Sequence, residues 1–322
     1  MDRDIMKILV TGGAGFIGSN YIRMMFKHYP DIEITNLDKL TYAGNPDNLR
    51  DITNPGYAFI KGDICEPDVV KKAMEGADAV VHFAAESHVD RSIKDGSVFV
   101  TTNVLGTNTL LNCALQTDVT KFIHVSTDEV YGSINEGSFT EEDPLEPSSP
   151  YSASKAGSDL LAMSYHTTYG LPVSITRCTN NFGPYQYPEK LIPLFITNLM
   201  EGKTVPVYGT GLNIRDWIYV DDHCSGIDFV FNHGHSGEIY NIDGGSELTN
   251  LEITHRILEM LGKDESSMEF VEDRKGHDLR YSLDCSKLRK MGWKPEYDFD
   301  KALVSTVQWY VNNRWWWEPL RS

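Results

Sequence analysis

Short apolar runs rich in β-branched residues recur along the first half of the chain, and stretches with helical spacing separate them. Strands are predicted at 7–11, 32–37, 79–83, 121–126 and 173–177, and helices at 15–29, 67–75, 98–116 and 151–169. Alternation of this kind predicts an α/β fold, a Rossmann-type doubly wound parallel sheet with helices on both faces. The second half is more broken. Pro184, Pro188, Pro193 and Pro206 interrupt it before one more helical stretch at 222–231. No repeat or flexible linker divides the two halves. The expected organisation is a nucleotide-binding domain over 1–180 to which the chain returns at 216–245. A smaller mixed α/β substrate domain is expected from 181–215 and 246–322.

Composition narrows the class. The chain has 322 residues, 41% hydrophobic and 23% charged, as soluble globular proteins do. Its net charge of −17 opposes nonspecific binding to nucleic acid or anionic membranes. One segment reverses the sign: 274–290 holds six Lys or Arg against two Asp, a local +4. No apolar run is long enough to span a bilayer, and the first strand starts too early to leave room for a signal peptide. Cys65, Cys113, Cys178, Cys224 and Cys285 are scattered and never in CxxC spacing, so reduced thiols in a cytoplasmic protein are expected. No metal-ligand spacing occurs among the ten histidines.

The first candidate chemistry follows the first strand. Gly12, Gly15 and Gly18 stand in G-x-x-G-x-x-G spacing, a variant of the dinucleotide fingerprint. Gly12 and Gly15 would permit a tight turn whose N–H groups approach a pyrophosphate, and Gly18 would let the next helix pack closely. Alone, such a cluster could be an ordinary turn. Asp38, 20 residues after Gly18, adds an acid where a ribose hydroxyl would be bound and a 2′-phosphate repelled, which favours NAD over NADP. Asp63 and Ile64 follow the next strand-like stretch and are placed for the adenine end. Phe83, Ala84 and Ala85 close the strand after that with little bulk beyond the ring.

Tyr151 and Lys155 lie at i and i+4 on one helix face, behind Ser148-Ser149-Pro150, which suits a helix start. A unit charge ~4 Å from a phenol at an effective dielectric of ~20 is worth ~4 kcal/mol, enough to bring its pKa from ~10 toward ~7. Tyr151 is therefore expected to act as a base in alcohol oxidation. Asp128 and Glu129, in Ser126-Thr127-Asp128-Glu129-Val130-Tyr131-Gly132, form a second constellation at the end of the fifth strand. Adjacent carboxylates in a closed cleft do not both ionise easily, so one can serve as acid and the other as base. Simple dehydrogenation needs no such pair, whereas loss of water does. A helix-initiating Thr-Asp-Glu cap is the plainer alternative.

Residues 11–18 with Tyr151 and Lys155 resemble the extended short-chain dehydrogenase/reductases, which act on nucleotide sugars with NAD. Within them, residues 84–92 and 126–132, Asn180-Asn181-Phe182-Gly183-Pro184-Tyr185, Pro188-Glu189-Lys190-Leu191-Ile192-Pro193 and Arg215-Asp216-Trp217 resemble the dTDP-glucose 4,6-dehydratases. The resemblance implies a redox-neutral lyase acting on dTDP-glucose with a tightly held NAD. Tyr151 would take the proton of the 4-hydroxyl during C4 oxidation, with Thr127 bonded to the same oxygen. Glu129 would remove the C5 proton, Asp128 would protonate the departing 6-hydroxyl, and hydride would return to C6.

The same resemblance implies Lys39, Leu40, Thr41, Phe16, Ile17, Ser87, Thr102 and Asn181 as further cofactor contacts. For the sugar nucleotide it implies Ser87, Thr127, Asn180, Lys190, Leu191 and Pro206, with Tyr208, Arg215, Asn250, Arg274, His277 and Tyr281. It also implies a homodimer formed by the helices at 98–116 and 151–169. A UDP- or GDP-sugar dehydratase or decarboxylase is the nearest alternative, and a non-catalytic NAD-binding scaffold a more distant one. Trp309 and Trp315-Trp316-Trp317 are expected to pack a terminal helix rather than to stack on a sugar.

Overall fold

A sheet grows in both directions from its first strand, β1 (Lys7–Thr11), in the computed structural model, which describes residues 6–273 and 276–321. On one side lie β2 (Glu33–Asp38) and β3 (Tyr57–Lys61). On the other lie β4 (Ala79–His82), β5 (Lys121–Thr127), β6 (Val173–Cys178) and a seventh strand, Ile239–Ile242. Every pairing is parallel. Strand order therefore reverses between β1 and β4, and the crevice at the carboxyl ends there is where open α/β sheets take ligands. Residues such as Leu9, Val10, Val80, Val81 and Ile175 are buried from both sides, which explains why these strands read as continuous apolar runs.

Predicted and observed elements agree over most of this sheet. β2 starts one residue later than its pattern because the Ile32 N–H closes a turn onto the Tyr29 carbonyl. The predicted helix at 98–116 is interrupted. Seven residues, Val100–Gly106, wind as π-helix before Thr107–Ala114 resumes the α form. Within that wider turn the Asn103 amide donates to the Glu86 carbonyl and to Ser154 Oγ, and its oxygen accepts the Glu86 N–H. Wide turns of this type are often found at functional sites, and this one sets Thr102 beside the crevice.

A second lobe holds a three-stranded sheet (Asn180–Phe182, Ile214–Tyr219, Glu247–Thr249) and a parallel pair (Val205–Tyr208 with Met268–Val271). Its core includes Phe195, Ile257, Leu303, Trp316 and Trp317. Trp309 packs on Tyr185 at 4.6 Å and on Trp316 at 5.1 Å, so these rings anchor the terminal helices. The helix Val220–His233 packs against the first-lobe helix α1 (Phe16–His28). Cys285, Leu288 and Trp293, expected in the second lobe, join the core of the first, because the short helix Ser286–Met291 packs beside the seventh strand.

Candidate active site

The glycine loop is shaped by close backbone contacts. Gly12 has φ +73°, and a Cβ there would sit 2.6 Å from the Ala84 nitrogen; at Gly18 it would sit 2.5 Å from the Gly12 carbonyl oxygen. Gly15 caps α1 without a side-chain hydrogen bond, leaving the first-turn N–H groups to face the crevice. Gly13, which the spacing argument passes over, donates its N–H to Asn36 Oδ1 at 3.0 Å and leaves no room for a Cβ. Asp38 holds the same loop from below. It accepts the Ala14 N–H at 2.9 Å and the Leu40 N–H at 2.8 Å. Burial raises its carboxyl above the usual range, and these two bonds only partly offset it.

A cavity of about 320 Å³ runs along the carboxyl ends of β1 to β6. Gly12, Gly15, Phe16, Ile17, Asp38, Lys39, Thr41, Asp63 and Ile64 line one end; Phe83, Ala84, Ala85, Ser87, Thr102, Tyr151, Lys155 and Asn181 line the other. Of the expected cofactor residues only Leu40 is absent from this lining. It takes a left-handed φ of +55° and turns the loop that Asp38 anchors. Lys39 and Asp63 pair at 2.7 Å. Burial works against ionised Asp63, but the Lys39 bond and the Cys65 N–H hold its carboxyl below the usual range. A cradle that any Cβ would fill, a bare helix N-terminus and an acid on β2 fit NAD, and the carboxylate at Asp38 disfavours a 2′-phosphate.

At the inner end, Thr127 Oγ1 donates to Asp128 Oδ1 at 3.1 Å and accepts the Glu129 N–H at 3.3 Å. It also hydrogen-bonds the Tyr151 hydroxyl. The helix Pro150–Tyr169 that carries Tyr151 and Lys155 opens with a Ser149–Ser152 capping box and Pro150 in its first turn. The expectation that Lys155 brings the phenol toward neutrality fails for the protein alone. Lys155 Nζ donates to the Val125 carbonyl at 2.8 Å. Burial, then the Glu129 charge, pushes the phenol well above its ordinary value, and burial lowers the ammonium.

The two carboxylates of the pair lie at the inner end of the first cavity. Burial, reinforced by Glu129, drives the Asp128 carboxyl well above the usual range, which favours its protonated form. Its Oδ2 is buried with no hydrogen-bond partner. Beneath the pair, Arg177 meets Asp159 at 2.9 Å, and Asp159 lies 3.2 Å from His124. Burial opposes ionisation of Asp159, but Arg177 and His124 hold its carboxyl at about 2. No local motif announces this buried support; it joins one helix to two strands.

A second cavity of about 190 Å³ adjoins the first, sharing Glu129, Asn180, Glu189 and Lys190 with it. Leu191, Pro206, Tyr208, Arg215, Asn250, His277 and Tyr281 line it as expected. Ser87 and Thr127 line the first cavity instead. Arg274 lies outside the described residues, as does Lys275, so the start of the basic stretch has no place in this geometry. Arg215 is buried, 4.3 Å from the centre of the Tyr281 ring, and donates to the Ile214 and Asp278 carbonyls at 2.7 and 3.0 Å. Lys190 Nζ donates to the Ser87 carbonyl at 2.8 Å. His88, Trp217, Thr254 and Glu189 also line the pocket and were not anticipated from the sequence. Glu189, a charge beside Lys190 between two prolines, carried the clearest signal of the four.

A dinucleotide crevice at the strand-order reversal, with a Tyr–Lys pair on the adjoining helix, defines an extended short-chain dehydrogenase/reductase. The Asp-Glu pair narrows that class. Residues 9–306 match the GDP-mannose 4,6 dehydratase family. A dTDP-glucose 4,6-dehydratase of Streptomyces antibioticus is 54% identical over 323 residues, covering 98% of this chain and 96% of that protein. DesIV, a dTDP-glucose 4,6-dehydratase of Streptomyces venezuelae crystallised with NAD and dTDP, superposes with a TM-score of 0.96 at 58% identity, over 98% of this chain and all of that one. The Bacillus anthracis dTDP-glucose 4,6-dehydratase in complex with NAD gives 0.92 at 49%, over 98% and 99%. The chain belongs to the dTDP-glucose 4,6-dehydratase family.

Proposed function

We propose that the protein is an NAD-dependent hydro-lyase that converts dTDP-glucose to dTDP-4-keto-6-deoxyglucose and water. The observation that carries this reading is Asp128, buried beside Glu129 with its carboxyl held well above the usual range, at the inner end of the cavity that also holds Tyr151. NAD, when bound, supplies the hydride acceptor for C4 and the donor for C6. Tyr151 takes the 4-hydroxyl proton, and its hydrogen bond with Thr127 holds the phenol oxygen in line. In the protein alone the phenol holds its proton, so Tyr151 becomes an effective base only once the cleft is filled. Oxidation at C4 acidifies the C5 proton, and Glu129 removes it. Asp128 gives its proton to the 6-hydroxyl, which leaves as water. One carboxylic acid and one carboxylate thus perform an elimination that the Tyr–Lys pair alone does not.

The first lobe would hold NAD and the second the sugar nucleotide, with buried Arg215 and Lys190 supplying positive charge to the diphosphate. Among the described residues no helix is long and apolar enough to cross a membrane, and the reading places the enzyme in the cytoplasm. Val98, Val100, Leu105, Leu160 and Tyr169 leave apolar area exposed on the segments 97–114 and 150–169, which supports a homodimer through those helices. The test is direct. Purified protein incubated with dTDP-glucose should yield the 4-keto-6-deoxy product without added reductant. Failure to form it, with turnover of a UDP- or GDP-sugar instead, would reject the dTDP-glucose assignment.

A further inference from the structure

Three loops that wall the cofactor cavity meet in a side-chain cluster outside the reaction chemistry. Thr41, Ala43 and Gly44 line the cavity from the loop after β2, Glu86 and Ser87 from the loop after β4, and Tyr187 and Glu189 from the segment after Asn180–Phe182. The side chains between them interlock. The Arg91 guanidinium lies 3.5 Å from the centre of the Tyr42 ring, and its Nη2 is 3.2 Å from Glu189 Oε2. The Tyr42 hydroxyl bonds the same carboxylate, and its ring meets Tyr187 edge-on at 5.5 Å. His88 Nε2 stands 3.4 Å from that oxygen too. Burial first, and the nearby Lys190 charge, push His88 down to about 4, so at neutral pH the charges that face Glu189 are those of Lys190 and Arg91.

We propose that Tyr42, Arg91 and Glu189 form a clasp that retains the dinucleotide from the first chemical step to the last. The inference rests on the NAD-dependent reading above. In that reaction the electrons removed at C4 are the ones returned to C6, so loss of the reduced cofactor midway strands a ketone that the protein cannot complete. Residues 42 and 189 come from separate loops and residue 91 from the short helix Val89–Lys94, and none contributes a proton or a charge to the reacting carbons. Each link alone is weak: Arg91 is half exposed, and an ion pair there is screened. Stacking on Tyr42 and a shared acceptor at Glu189 make the three act together. The clasp must part for NAD to enter or leave, and stays shut during turnover.

The test measures cofactor release. Holoprotein loaded with NAD is mixed with excess NADH, and exchange is followed by the fluorescence of bound NADH in the parent, Tyr42→Ala, Arg91→Ala and the double variant. Each single substitution should speed release about tenfold, equivalent to ~1.4 kcal/mol. The double variant should release no more than about threefold faster than the faster single one, because both cut the same connection. Release within about twofold of the parent in folded single variants, or factors that multiply in the double one, would overturn the clasp. Should Tyr42→Ala fail to fold, Tyr42→Phe keeps the ring and loses only the bond to Glu189. It should release NAD about threefold faster, and an unchanged rate there counts equally against the proposal. A parent protein that binds no NAD would overturn the cofactor reading itself, and the clasp with it.

Discussion

The two cavities share four residues but are made of different materials. The cofactor cavity is entered over backbone: at Gly12 and Gly18 main chain approaches main chain to distances at which no Cβ fits. The substrate pocket is made of side chains, several already committed to protein partners, as Arg215 is to two carbonyls and Lys190 to one. The difference teaches where specificity resides. A dinucleotide common to many enzymes is met by a loop with no room for a side chain at Gly12 or Gly18. The second cavity presents charges and rings in place of bare main chain. It also resolves the sign problem of an anionic protein with an anionic substrate. Screening erases most of the surface field beyond about 8 Å, so in the proposed complex a guanidinium at contact range would outweigh the net −17.

The largest predicted effect falls at the inner end of the first cavity. Tyr151→Phe should lower kcat about 10³-fold, with no reduced nicotinamide formed in a single turnover. Gly12→Ala attacks the backbone cavity. It should cost about 3 kcal/mol of stability, through its left-handed φ and its collision with Ala84, and should abolish NAD binding measured by calorimetry. If Gly12→Ala binds NAD normally, the contrast between the two materials is broken. Arg215→Lys should leave NAD affinity unchanged and raise KM for dTDP-glucose about 10-fold, since an ammonium keeps the charge but loses the fork.

The smallest effect is on stability. Below about pH 4 the Asp128 carboxyl is protonated in both folded and unfolded chains and costs nothing. As pH rises, the unfolded chain gains by ionising while the folded carboxyl, held well above its usual range, does not. The stability present at low pH is lost until the folded pKa is passed. Asparagine does not titrate, so Asp128→Asn should melt higher than the parent at pH 7, by on the order of 2 °C. The gap should close toward pH 4 in calorimetric scans. A variant that melts lower at pH 7 would mean that Asp128 is ionised in the folded protein.

The sheet and the catalytic motifs were legible because each is local. β1 is buried along its length and runs straight into its glycines, and Tyr151 with Lys155 needs only one helical turn. What the sequence withheld depends on distant partners. The strands of the second lobe are three to six residues long and alternate too briefly to register. The π-helical turn at Val100–Gly106 is tied down by Glu86 and Ser154. Lys155 at i+4 suggested a phenol of lowered pKa. The tertiary structure instead turns the ammonium onto Val125 and sets a carboxylate near the phenol. No pattern joins residues 42, 91 and 189, because the clasp exists only once two loops and a short helix have met.

The central claim is that one cleft separates oxidation by Tyr151 from elimination by Asp128 and Glu129. It is tested most directly by a single turnover of NAD-loaded Asp128→Asn with dTDP-glucose, followed by the near-ultraviolet absorbance of reduced nicotinamide. The account predicts that this absorbance rises at close to the rate of C4 oxidation in the parent and then persists, because water leaves slowly. A folded, NAD-loaded variant that shows no such rise would contradict it, placing Asp128 in the oxidation itself.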